Sequence, residues 1–207
     1  MSDFWSSTTT EPKRKFRWIL SISPDDSGPH SDVTIPAWII KKVTKPTFTV
    51  SEVKHSYINH SFYYPGRMEY NEVEFTLVDP VNPDAAKNIL KIIDMAGYKL
   101  PDTEAHAAQT ITKESAVAAL GGLTIEMISG ESSDGEGVTT IESWYLKNAW
   151  IKEVSFGDLD YESDDIAEIT VKVRYDWAEL GGDNGGDGAG AGAGWRSSGR
   201  SVFPGPS

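Results

Sequence analysis

Between residues 166 and 177 the chain alternates strictly enough to leave little choice of local structure. Ile169, Val171, Val173 and Tyr175 fall on one parity; Glu168, Thr170, Lys172 and Arg174 fall on the other. Side chains in a strand point alternately to opposite faces, so this segment reads as a strand with one dry face and one wet one. It closes a longer stretch, residues 123–177, that reads as two antiparallel strand pairs. Residues 123–129 alternate, residues 130–137 form a polar, glycine-rich reversal, and residues 138–150 return as a strand rich in Thr, Ile, Trp and Tyr. The remainder of the chain has to complete that sheet.

Upstream, Phe16, Trp18, Leu20 and Ile22 alternate and predict a first strand. Residues 23–32 hold two prolines, a glycine and three aspartates and read as a loop. Residues 35–43 predict a second strand, with Pro36 marking an edge or a start and Pro46 ending it. Residues 48–64 are long, β-branched and aromatic, and Pro65-Gly66 is the expected turn into a returning strand over 67–78, with Val73, Phe75 and Leu77 on its dry face. One clear helix follows: Asn82 as N-cap, Pro83 at the first position, a stripe of Ala86, Ile89, Leu90 and Ile93, and Gly97 at the close. Residues 101–112 read as irregular, and residues 112–120 as a short second helix or a connector ending at Gly121-Gly122.

A length of 207 residues suits one domain with a core of its own. The net charge of −12 opposes nonspecific wrapping of nucleic acid, because the average surface repels phosphate, yet it does not exclude a passage for DNA, where weak sticking is an advantage. With no cysteine there is no disulfide, thiolate metal site or thiol nucleophile. No apolar run approaches the roughly 18 residues of a membrane span, and residues 1–10 lack a signal-peptide layout, which predicts a protein kept in a cytoplasm.

The usual constellations of catalysis and metal binding are missing. His55 and His60, five apart on one expected strand, point to opposite faces and cannot share a metal; His30 and His106 lie in polar loops. The run Asp158, Asp160, Glu162, Asp164, Asp165 lacks the glycine and terminal glutamate of an EF-hand loop and reads as a solvated turn. Glycine spacings in 181–194 arise from low complexity, without the strand-then-helix setting of a dinucleotide site. Glu72 and Glu74 share a strand face but no cleft, so they form no glycosidase dyad. These observations predict neither enzyme activity nor a cofactor.

Long hairpins with one wet face leave edges that must be paired, covered or blunted, and a ring of copies pairing edge to edge removes them while enclosing a channel. Two blocks carry a family resemblance: SYINHSFYYPGRMEYNEVEFTLVD at 56–79, followed by the helix, and LKNAWIKEVSFGDLDYESDD at 146–165, followed by the closing strand over 167–177. In these features the chain resembles the tail tube proteins of contractile-tailed bacteriophages, whose fold the tube protein of type VI secretion shares. The resemblance covers roughly residues 16–180; residues 1–15 form an N-terminal arm and residues 181–207 a glycine-rich tail, expected to be flexible in a lone subunit.

The resemblance implies a mainly β fold, an antiparallel sandwich or barrel with one flanking α-helix, whose edge strands complete an inner β-barrel in a hexameric ring. Rings would stack into a hollow, acidic tube that DNA passes through without specific binding, in a virion tail assembled in the host cytoplasm. The implied partners are further copies, the tail sheath, the baseplate and the tail terminator, with no membrane. Lumen strands are expected near 37–44, 54–63, 123–129 and 138–147, with Asn59, Ser61, Thr124, Glu126, Thr140 and Glu142 facing the bore. Ring–ring contacts are expected between the basic run Lys13, Arg14, Lys15, Arg17 and the acidic residues Asp158, Asp160, Asp164 and Asp165. A tube-initiating or tube-terminating baseplate protein carries the same domain, and the added tail speaks for it. The competing class is a β-sandwich module for carbohydrate or protein, with Trp38, Tyr57, Tyr63, Tyr64 and Trp144 as a platform.

Overall fold

The computed structural model describes residues 13–23, 33, 35–129, 140–162 and 164–181. The expected arm up to residue 12, the loop at 24–32, the reversal at 130–137 and the glycine-rich segment from 182 lie outside the described residues.

The described residues form ten antiparallel strands and three helices: β1 Trp18–Ser23, β2 Ile40–Val43, β3 Phe48–Tyr57, β4 His60–Tyr70, β5 Val73–Val78, α1 Ala85–Met95, α2 Glu104–Ala107, α3 Lys113–Leu120, β6 Gly122–Ile128, β7 Thr140–Lys147, β8 Trp150–Ser155, β9 Glu168–Arg174 and β10 Trp177–Gly181. They form two four-stranded sheets, β1-β6-β7-β10 and β2-β5-β9-β8, and a separate two-stranded sheet, β3-β4. The chain is mainly β, and its described strands do not close into a barrel within one copy. A single buried cluster draws Leu20, Leu123, Ile125 and Leu146 from the first sheet and Phe75, Leu77, Ile169 and Val171 from the second. Burying each such side chain contributes about 1.5–3 kcal/mol. The alternation of β9 corresponds directly to this core: Ile169, Val171, Val173 and Tyr175 are buried, while the residues between them are half-buried.

Helix α1 caps the core with Ala85, Ile89, Ile92 and, just past its end, Ala96. The expected stripe is therefore turned partly around the helix, and Leu90 faces solvent. The N-cap is Asp84 in place of Asn82: residues 81–84 form a turn, and the Asp84 carboxylate accepts the Lys87 amide at 2.8 Å. Gly97, at φ 107, closes the helix as expected. Replacing Asp84 by Ala should lower stability by about 1 kcal/mol, readable as a lower urea midpoint with an unchanged slope. The segment 112–120 is the helix α3, capped by the Thr112 hydroxyl and packed on α1 and β8, and 101–112 contains the single turn α2.

Several expected strand boundaries move. Residues 37–39 form a 3-10 turn, so only 40–43 is strand in the second segment. The long strand over 138–150 is split at Asn148, whose φ of 54 suits a residue that tolerates the left-handed region. There the chain leaves the first sheet as β7 and enters the second as β8. The hairpin reverses at Ile58 and Asn59, while Pro65-Gly66 lies within β4; the returning segment is divided into β4 and β5 by residues 71 and 72. Opposite Ser51 the β4 strand carries two residues, Gly66 and Arg67, with the Arg67 amide donating to the Ser51 hydroxyl at 2.8 Å. A Cβ on Gly66 would lie 2.3 Å from the Ser51 hydroxyl oxygen, which explains a glycine at this bulge.

Candidate functional site

The β3-β4 hairpin is the element that the core does not explain. Every residue of β3 and all of β4 but Tyr70 are exposed, and among the described residues no strand pairs with either of its outer edges. Its register places Val53, His55, Tyr57, His60, Phe62 and Tyr64 on one face, and Glu52, Lys54, Ser56, Ser61 and Tyr63 on the other. One face is thus of the kind that sheets bury, yet Val53, Tyr57, Phe62 and Tyr64 are each at least half exposed. Isolated two-stranded hairpins are marginal in water. The hairpin tip adds Ile58, a β-branched residue at φ 52 that is 83% exposed, a conformation costing on the order of 1–3 kcal/mol. At its base Tyr70 packs edge-on against Phe48 and tilted against Tyr175, tying the hairpin to the core.

The first sheet also has one dry face and one wet one. Leu123, Ile125 and Met127 point to the core, and Thr124 and Glu126 point outward beside Tyr145 and Lys147, with Ser143 on the same face but buried. Of the residues expected to face a bore, Thr124, Glu126 and Thr140 share this outward face, Ser61 lies on the polar face of the hairpin, and Asn59 lies at its tip. Glu142 does not join them. An extra residue in β7, Ile141, shifts the register between Met127 and Ile128 and leaves Thr140 and Glu142 on opposite faces despite their equal parity. The four expected lumen strands also do not lie side by side within one copy: 123–129 and 140–147 share the first sheet, 40–43 belongs to the second, and 54–63 to the hairpin.

Glu142 is a buried polar hub. It accepts hydrogen bonds from Lys13, from Lys45 at 2.6 Å and from the Trp144 indole at 2.6 Å. Burial pushes its carboxyl up, but the donations from Lys13, Lys45 and Trp144 outweigh burial and hold it at about 2. One carboxylate therefore ties together the start of the described chain, the segment leading into the hairpin and the first sheet. Sequence spacing carried no sign of this. In the basic run, Lys13 is thus committed within its own chain, and Arg17 stacks over Phe16.

Asp158, Asp160, Asp164 and Asp165 lie on an exposed turn after β8, where the Asp160 carboxylate accepts the Glu162 amide at 3.0 Å. Lys41 is raised above the ordinary lysine value by its hydrogen bond to Glu168 and, less, by Asp165 nearby. Among the described residues no group of three or more His, Asp or Glu side chains is placed to hold a metal. His55 and His60 share a face, contrary to the expectation from their spacing, because the turn lies between them. Glu72 is occupied by Lys152, whose hydrogen bond lowers it, and Glu74 pairs across the strands with Lys172, so neither is available as a dyad. The five aromatics of the imagined sugar platform are dispersed: Trp38 in the 3-10 turn, Tyr57 and Tyr64 opposite Tyr63, and Trp144 half-buried on Glu142. A hollow of about 870 Å³ lies between the hairpin base, α3, Trp150 and Tyr175. Lys113 and Asn148 hold Asp176 at its rim and lower its carboxyl; the buried Tyr175 hydroxyl is pushed up to about 12 by burial.

No protein-family model and no curated protein matches the chain. Solved structures do match. A chain of the anti-feeding prophage tube-terminating cap aligns with a TM-score of 0.56 at 13% identity, covering 88% of this chain and 100% of its own. A chain of the 6-fold symmetrised baseplate of the anti-feeding prophage gives 0.55 at 12% identity, covering 84% and 97%. A chain of the sheath–tube complex of an extracellular contractile injection system gives 0.54 at 15% identity, covering 84% and 95%. At such identities the shared property is the fold, and it is the tail-tube-type fold that residues 56–79 and 146–165 resemble.

Proposed function

We propose that this chain is a structural subunit of a contractile injection tail, forming hexameric rings that stack into a hollow tube. The observation that carries this reading is the hairpin: an amphipathic two-stranded ribbon whose two outer edges meet no strand among the described residues, with an apolar face held out in water. A neighbouring copy would pair those edges and cover Val53, Tyr57, Phe62 and Tyr64. The polar face of the hairpin would then continue the outward face of the first sheet, giving a bore lined by Asn59, Ser61, Thr124, Glu126 and Thr140, with Glu142 taken out of the lining. Residues 16–180 would form the tube domain, with residues 1–15 as an arm. The tail from 181 would reach along the exterior toward sheath or baseplate. Ring–ring joints would pair the basic run at 13–17 with the acidic turn at 158–165. Sheath, baseplate and terminator are the implied partners, in a virion tail assembled in the host cytoplasm, and the role is structural with no catalysis.

Negative-stain microscopy of the purified protein tests this reading, with rings or hollow rods expected. A sample that stays monomeric at high concentration overturns it. A tube-initiating or tube-terminating role is the second reading, favoured by the likeness to a cap and a baseplate chain; one ring per particle in place of many would identify it. Assembled rods also test the lining. Glu126→Lys should raise retention of short duplex DNA roughly five- to tenfold at low salt, an effect that salt removes. Unchanged retention would remove Glu126 from the bore.

A further inference from the structure

On a chain of net charge −12, one hollow is rimmed by lysines. It measures about 460 Å³ and opens where β1, β2 and β6 leave the core uncovered. Ile125 and Met127 form its floor, with Trp18 and Val43 as walls. Lys13, Lys15 and Lys45 stand around the mouth, and Glu142 beneath engages two of them without neutralising all three. Such a site suits an apolar side chain flanked by carboxylates.

The turn at 158–162 has that chemistry. Its sequence alternates Asp158, Leu159, Asp160, Tyr161, Glu162, so two apolar tips are interleaved with three acids. Leu159 is 92% exposed and Tyr161 fully exposed, and no apolar surface among the described residues covers them. Within one copy this turn lies beside Lys41 and Ile166, around a different hollow that shares no lining residue with the first.

We propose that Leu159, with Tyr161 beside it, inserts into the lysine-rimmed hollow of a second copy, its flanking carboxylates meeting Lys15 and the outer sides of Lys13 and Lys45. Knob and hole share no lining residue, and a joint in which each copy gives its knob to the next copy and receives one from the copy before is heterologous and repeats head to tail, as a stacked array requires. The inference rests on the reading of the chain as self-assembling and names the joint. It makes the apolar tips, and not the charges alone, the source of affinity, while charge sets the register.

The chain has no cysteine, so introduced thiols are unique. Full-length Lys15→Cys and Leu159→Cys proteins, mixed in equal amounts under mild oxidation, should give covalent dimers absent from either alone. Leu159→Asp should weaken rod formation roughly tenfold, and a mixed pair of Lys15→Glu and Asp160→Lys chains should assemble better than either variant alone. Rods that form without the heterodimeric cross-link and tolerate Leu159→Asp would overturn the joint and leave self-assembly standing. A chain that yields neither rods nor cross-links would overturn both.

Discussion

Excising residues 50–68 and joining Thr49 to Glu69 through Asn-Gly should leave a chain that folds and no longer assembles. Thr49 and Glu69 are direct cross-strand partners, so a two-residue turn closes them without disturbing the hairpin base. No residue in the excised stretch belongs to the buried cluster, whereas Phe48, Tyr70 and Tyr175 remain in contact below the cut. Thermal unfolding of the core should therefore persist. Val53, Tyr57, Phe62 and Tyr64 start 50–64% exposed, so covering them is worth about 3–7 kcal/mol per copy, roughly two to five orders of magnitude in association. Sedimentation should show monomers where the intact chain forms rings. Rods from the shortened chain would mean that assembly is built elsewhere.

Glu142→Gln should cost about 2 kcal/mol at neutral pH, because it leaves two ammonium groups facing a neutral amide. The loss is smaller than for a fully enclosed pair, since the Lys13 and Lys45 side chains are each nearly half exposed. The folded-state value of about 2 lies below the ordinary glutamate range, so the wild-type advantage is complete above about pH 4.5. It should shrink as the pH falls and vanish as the pH passes through about 2. Urea melts of both proteins at a series of pH values read this directly. A gap that stays constant down to pH 2 would show that packing, and not the ion hub, accounts for the difference.

Much of this architecture can be read from sequence wherever burial alone decides it. The parity of 169–175 and of Val73, Phe75 and Leu77 is the core itself, because both strands sit centrally in a sheet with one dry face. Turns were harder, for a local reason. Pro65-Gly66 is the strongest turn signal in its neighbourhood, yet here it serves a bulge on an edge strand, and the reversal is made by Ile58-Asn59, which carries no glycine. Once the turn is misplaced, the two-sided character of the hairpin disappears and the histidines seem to face apart. Asn148 shows the same difficulty: Leu-Lys-Asn-Ala-Trp holds no breaker, so a single left-handed residue moving the chain between sheets looks like continuous strand. The Glu142 hub was out of reach because Lys13, Lys45 and Glu142 come together only through tertiary packing, and because one inserted residue, Ile141, overturns the parity argument for its side.

The bulge at Ser51, Gly66 and Arg67 bears on geometry at a larger scale. A β-bulge bends its strand by covalent and hydrogen-bonding constraint, with no help from a neighbour. In an assembly built on this hairpin, the angle at which one copy meets the next is therefore preset in each molecule, so circumference is inherited from a local kink and little ordering entropy is left for closure.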